Sequence, residues 1–253
     1  MTGLSLRQEG VARVATIDRP ASKNAISRAL AAALQEALGE AAEDRETRAV
    51  IVTSADPKVF LSGGDLVELT ALPLDDRGAE AVLALGALAD AIEGCELPVI
   101  AAVEGAVFGG GSELCMACDL LVLGDEATLC FVHGKMGLVP AWGGTTRLVE
   151  RVGATRAADL LLTARRVDAE LAWSLGLCAR RAARGAAFET AQAVAEEIAR
   201  LDRDAVTRLK RSLLAARRAR RGPALAEEQT QFRQAWGSEA HRAAFAAFLR
   251  RKS

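Results

Sequence analysis

An α/β fold is predicted for this chain of 253 residues, on three observations. Short apolar runs alternate with alanine- and leucine-rich stretches of helical spacing from residue 11 to residue 131. Two of those apolar runs lead into glycine-bearing loops, where bare backbone can approach a ligand. From about residue 146 the pattern turns helical and stays so, which appends a helical part to the α/β region.

The elements follow in order. Residues 11–17 read as a strand closed by Asp18, Arg19 and Pro20, and 27–43 as a helix. A strand at 49–53 is followed by a turn at Asp56 and Pro57 and then the first glycine loop, 60–66. A break at Pro73 to Asp76 precedes a helix over 77–95. The strand at 99–103 runs to the triplet Gly109, Gly110, Gly111 and a compact helix ending near Cys118. Residues 119–123 and 128–131 read as further strands. Short helices are expected over 148–152, 154–163 and 168–175, with Gly153 and Gly176 as stops. Longer amphipathic helices are expected over 188–201, 205–221, 223–236 and 238–250. Their apolar stripes cannot all be buried against one another, so the tail is expected to pack on the core or on a neighbouring subunit.

Composition narrows the function. A net charge of −1 gives no global pull toward nucleic acid or membrane. No apolar run reaches the roughly 20 residues that span a bilayer, and residues 1–7 carry no signal-peptide core, so a cytoplasmic location is expected. Five cysteines without a signal peptide argue against a disulfide framework. Cys115 and Cys118 stand at C-x-x-C spacing, but no second pair accompanies them, so they read as buried core side chains and no metal is expected. The tail's basic cluster, Arg208, Lys210, Arg211, Arg217, Arg218, Arg220 and Arg221, reads as a solvated helix face, with a phosphate-bearing ligand as the alternative. Nucleic-acid binding is not expected, since aromatic interleaving is lacking and the chain has no tyrosine.

The two glycine loops carry the chemistry. The triplet at a strand-to-helix junction exposes N–H groups at the positive end of a helix dipole, and Glu113 just inside that helix adds an ionisable group. Gly64 and Gly110 can converge on one oxygen from different loops, a divided oxyanion hole for chemistry at a carbonyl.

With these loops placed, the chain resembles the crotonase (enoyl-CoA hydratase/isomerase) superfamily over nearly its whole length. The resemblance rests on Asp18, Arg19 and Pro20 with Asn24 and Ala25; on 60–66; on 98–119; on 137–140 and 143–148; and on 161–163 with Gly176 and Leu177. It implies a spiral of ββα units (a core over 1–190) followed by a C-terminal helical trimerisation region (191–253). It also implies a homotrimer or a dimer of trimers, acyl-CoA thioester substrates, and no cofactor beyond the CoA of the substrate. Gly64 and Gly110 match the oxyanion donors. Lys23 and Ala25, with Gly63, Asp65 and Leu66, match segments that line the CoA site.

One position departs from the hydratase pattern. Family hydratases use two glutamates on one water; Glu113 matches the first, and His133 stands in place of the second. Around it, 131–133, Met136 and Gly137, 140–144, 145–150 and 235–237 resemble the ethylmalonyl-CoA decarboxylase branch. That resemblance implies decarboxylation of ethylmalonyl- or methylmalonyl-CoA, with His133 orienting the departing carboxylate. Glu113, or a water it holds, would protonate the α-carbon. Trp142 would wall the acyl pocket, or wall it and also donate its indole N–H. A hydratase or isomerase using Glu113 alone and a non-catalytic CoA-ester-binding protein are the alternatives.

Overall fold

The computed structural model describes residues 2–219 and 221–250. Two sheets are laid down together. The larger has six strands in the order β1 (Leu4–Glu9), β2 (Ala12–Ile17), β3 (Ala49–Ser54), β5 (Val99–Val103), β7 (Leu120–Gly124), β10 (Arg180–Ala182). The smaller has four, in the order β4 (Val59–Leu61), β6 (Ala106–Phe108), β8 (Thr128–Cys130), β9 (Val167–Asp168). Pairs β3–β4, β5–β6 and β7–β8 each put one strand in each sheet. After β4 and β6 the chain enters a helix, α2 (Leu66–Thr70) or α5 (Gly110–Ala117). Repetition of that turn is the expected ββα spiral, and the parallel pairings β4–β6, with a register shift between Val59 and Leu61, and β6–β8 stack the turns.

Burial on both faces explains the apolar runs of β3 and β5, since parallel central strands have no solvent side. One face of the large sheet packs Ala12, Val14, Ile51, Ile100 and Val122 against α9 (Ala187–Ala199), which spans residue 190. The other packs Ile17, Val50, Val52 and Ala101 against helices that include α1 (Arg28–Glu43) and α5. Cys115 and Cys118 lie in this core as free thiols, and burial pushes the Cys118 thiol up to about 12.

The sequence reading missed β1, an edge strand with four exposed residues in its middle, joined to β2 at Gly10. The single helix expected over 77–95 is two, α3 (Asp76–Leu83) and α4 (Gly86–Gly94). At the break the N–H groups of Leu85, Ala87 and Leu88 bond carbonyls three residues back rather than four, and Val82 O also accepts the Trp142 indole N–H. The next helices are α6 (Gly144–Val152), α7 (Ala154–Thr163) and α8 (Ala169–Ser174).

The tail forms α10 (Arg203–Arg218), α11 (Arg221–Ala235) and α12 (Glu239–Arg250), and it packs on this chain's own core: α11 against α3 and α6, α12 against the 3-10 turn Val132–Met136. The solvated face expected for the basic cluster holds for Arg208, Arg211 and Arg218, which are exposed, and is corrected for Lys210, Arg217 and Arg221. Lys210 is buried, with Nζ 2.6 Å from Asp119 and 2.9 Å from Leu97 O. Arg211 pairs with Glu96; Arg217, Arg218 and the buried Arg221 all pair with Glu93. Arg220 lies outside the described residues. Arg217 and Arg221 turn inward because Glu93 and Glu150 stand under them. No helix among the described residues is long and apolar enough to cross a membrane.

Candidate active site

The two glycine loops meet. After β4 the chain turns through Gly63 at φ +101°, and a Cβ there would lie 3.1 Å from Phe108 O and 3.3 Å from Gly110 N. Gly64 forms a parallel bridge with Ile26 that uses the Gly63 carbonyl (2.7 Å) and the Asp65 N–H (3.0 Å). In such a bridge the central residue's own N–H points to the other side. After β6, Gly109 turns at φ +51° and donates to Cys130 O at 3.0 Å. Gly110 is then the first residue of α5, where an N–H has no intrahelical acceptor. A Cβ on Gly110 would stand 2.2 Å from the Trp142 ring, so only glycine fits.

Glu113 is buried in the first turn of α5. Its carboxylate accepts from the N–H groups of Ala141 (3.3 Å), Trp142 (2.7 Å) and Gly144 (3.0 Å). Its Oε1 also lies 3.0 Å from His133 Nε2, on the turn Val132–Met136. A carboxylate has about four lone-pair directions, and here each oxygen has two partners. His133 keeps its Nδ1 buried and without a protein partner, while its side chain remains 12% exposed. The spacing of 20 residues between Glu113 and His133 thus resolves into a direct contact.

Trp142 packs its ring beside Gly110 and within 3.8 Å of where a Cβ on Gly64 would stand. Its indole N–H donates to Val82 O at 2.9 Å. The donor role considered for that indole is therefore corrected: the proton is committed to α3, and what Trp142 presents to the glycines is a ring. The proton-donor role considered for Glu113 meets the same obstacle, since both oxygens are turned to protein groups.

Lys23, Ala25, Asp65 and Leu66 form one neighbourhood. Arg19 donates to Ala25 O and pairs with Asp65 at 2.9 Å, which lashes the 23–25 segment to the loop after Gly64. Asn24 is fully buried; its Oδ1 accepts from Arg19 N–H (2.7 Å) and its Nδ2 donates to Ser54 Oγ (2.7 Å) and Val59 O (2.8 Å). Lys23, left-handed at φ +52°, is exposed beside it, and Ala25 is buried. Asp65 caps α2 through Val67 N–H at 3.1 Å, and Leu66 begins that helix half-buried.

Two residues at the site escaped the sequence reading. Arg147 donates to Trp142 O at 2.5 Å, gripping from behind the peptide whose neighbouring N–H holds Glu113. Glu228 accepts from Thr146 two residues past Gly144. Arg147 falls within a segment that supports the family resemblance, but nothing in the sequence indicates its contact; Glu228 lies in an unremarkable helical Glu-Glu-Gln.

Comparison with known proteins shows the family and the fold. The enoyl-CoA hydratase/isomerase family model matches residues 7–253. A probable enoyl-CoA hydratase of Mycobacterium leprae is 32% identical over 95% of this chain and 92% of its own. The short-chain-enoyl-CoA hydratase of Clostridium acetobutylicum is 30% identical over 100% of this chain and 96% of its own. An enoyl-CoA hydratase/isomerase of Xanthobacter autotrophicus superposes with a TM-score of 0.89 at 25% identity, covering 98% of this chain and 93% of that one.

Proposed function

The chain belongs to the enoyl-CoA hydratase/isomerase family, and from that premise we propose that it decarboxylates a short branched malonyl thioester, ethylmalonyl- or methylmalonyl-CoA. The observation that carries the proposal is the direct 3.0 Å contact between His133 Nε2 and Glu113 Oε1. Hydration calls for a water held between two acid–base groups; here the imidazole nitrogen and the carboxylate oxygen face each other directly at 3.0 Å. The three backbone donors and the imidazole together occupy the four lone-pair directions of the Glu113 carboxylate.

Decarboxylation needs no base to begin. The bond from C2 to the carboxylate carbon breaks, CO₂ leaves, and the electron pair moves into the thioester carbonyl. The enolate oxygen is met by the N–H groups of Gly64 and Gly110, which stabilise charge that exists only after the bond has begun to break. A proton then returns to C2. His133 or a water beside it delivers that proton, and Glu113 fixes the ring. The Trp142 ring closes the acyl side and keeps it short and apolar. The segments around Lys23–Ala25 and Gly63–Leu66 receive the CoA moiety, and the assembly is a trimer or a dimer of trimers.

A second reading is favoured by the relatives, whose names are enoyl-CoA hydratases: hydration or double-bond isomerisation with Glu113 as the one carboxylate. The deciding experiment offers ethylmalonyl-CoA, methylmalonyl-CoA and crotonyl-CoA side by side, reading CO₂ and product mass. Butyryl- or propionyl-CoA with CO₂ establishes the decarboxylase. Intact malonyl esters beside hydrated crotonyl-CoA overturn it in favour of the second reading. Esters that bind tightly without any turnover leave a CoA-ester-binding protein.

A further inference from the structure

The N-terminus of α6 has no cap of its own. Gly143 stands at the N-cap with φ +80°, and the Arg147 N–H makes the first helical bond, to Gly143 O at 3.0 Å. The N–H groups of residues 144–146 are therefore left without intrahelical acceptors. Two of them go to glutamates from distant parts of the chain. Gly144 donates to Glu113 Oε2 at 3.0 Å, and Thr146 donates to Glu228 Oε2 from its N–H at 2.9 Å and its hydroxyl at 3.0 Å. One helix terminus thus serves two carboxylates, the first from α5 and the second from α11. Glu228 is only 6% exposed, and its Oε1 is buried with no partner.

We infer that Glu228 is a positioning residue of the candidate site: by anchoring Thr146 it sets the turn of α6 whose Gly144 N–H holds Glu113, and so couples the C-terminal helices to the Glu113–His133 pair. The coupling runs through two peptide units of one helical turn, a rigid link. It is also electrostatic. Burial first, and then the charge of Glu113, push the Glu228 carboxyl up to about 7. The charged groups around it are Glu113 from α5, Arg147 and Glu150 from α6, Arg217 from α10, and Arg221 and Glu227 on its own helix. Arg217 and Arg221 are engaged by Glu93 and Glu150 and form no ion pair with Glu228.

This inference rests on Glu113 and His133 being the reacting pair, so its test has an arm that uses no substrate. In the full chain the backbone amide resonances of Thr146 and Gly144 are followed against pH, in the wild type and in Glu228→Gln. Gln keeps an oxygen for Thr146 and removes the titration. The expected result is an inflection near pH 7 at both amides in the wild type, absent at both in the variant. An inflection at Thr146 with none at Gly144 overturns the coupling and leaves Glu228 a local cap. The second arm measures turnover of the accepted ester. Glu228→Leu, which removes the acceptor, is expected to lower kcat about tenfold with KM changed less than about twofold, and Glu228→Gln to restore most of it. Equal loss in both variants, or a loss confined to KM, overturns positioning. If no malonyl ester is used at all, the decarboxylase reading falls while the amide arm still decides the coupling.

Discussion

Glu93 and Glu113 are equally buried, at 1% exposure each, yet they are held in opposite ways. Glu93 is ringed by the guanidinium groups of Arg147 (3.2 Å), Arg217 (3.2 Å), Arg218 (3.0 Å) and Arg221. Burial alone would push its carboxyl up, but these cations, Arg221 foremost, hold it down at about 2. Among the described residues no arginine lies within ion-pair distance of Glu113; it is held by three backbone N–H groups and one imidazole. The first arrangement fastens α4, α6, α10 and α11 together. The second fixes a carboxylate without placing beside it a permanent cation that would capture a substrate's own carboxylate. Arg147 joins the two, since it belongs to the Glu93 cluster and also grips the Trp142 carbonyl.

The largest effect expected from this contrast is on stability. Glu93→Ala leaves four guanidinium groups facing one another without their shared anion, a loss of about 3–5 kcal/mol for breaking a buried ionic cluster. Urea unfolding reads it, and a loss below about 1 kcal/mol would show the cluster to be no stronger than a surface network. His133→Ala should do the reverse. CO₂ release falls about 100-fold or more (roughly 3 kcal/mol), CoA-ester binding stays nearly intact, and the unfolding midpoint barely moves, because Glu113 retains its backbone donors. Equal loss of binding and turnover would remove the specific role of His133 and with it the contrast.

Glu228 offers a third test, because its carboxyl is raised where that of Glu93 is lowered. A raised carboxyl binds more protons folded than unfolded between its ordinary value of 4.5 and about 7. Stability attached to it is therefore full below the lower value and is lost as pH rises through the upper one. Glu228→Gln removes that loss. The variant should exceed the wild type by roughly 2–3 kcal/mol at pH 8, with the gap shrinking toward pH 4.5. Denaturation midpoints across that range measure it. A gap that widens toward acid would mean that Glu228 is held as an anion, as Glu93 is.

Much of this site was legible in the sequence because its key positions are restricted by residue type. Gly63 and Gly109 require positive φ, Gly110 requires the absence of a Cβ, and Glu113 falls in the first turn after them. His133 was visible as a departure from a family pattern. What escaped depends on tertiary contact. Strands of three residues such as β4 and β6 carry no periodicity to read. The break between α3 and α4 is a short switch to three-residue hydrogen bonding at Leu85 to Leu88, and no proline within 77–95 announces it. Arginines spaced along α10 look like a solvated face until Glu93 is found beneath them. Glu228 is ordinary in sequence and acquires its meaning only from the bare N-terminus of α6.

The smallest expected effect concerns Trp142, which stands between the two regions. Trp142→Phe keeps a ring against Gly110 and keeps the backbone N–H on Glu113, but it removes the indole bond to Val82 O. That carbonyl still accepts from Leu85 N–H at 3.1 Å, so no acceptor is stranded. The cost should be about 1 kcal/mol in unfolding, the value of one ordinary hydrogen bond. Preference among acyl chain lengths should not change, since the wall remains. A shift of preference toward longer esters would mean that the Val82 bond, by holding the ring's angle, sets the size of the acyl space. A drop in turnover with preference unchanged would instead mean that the indole anchors the 141–144 backbone under Glu113, and the line between a stabilising region and a reactive one would then run through this side chain.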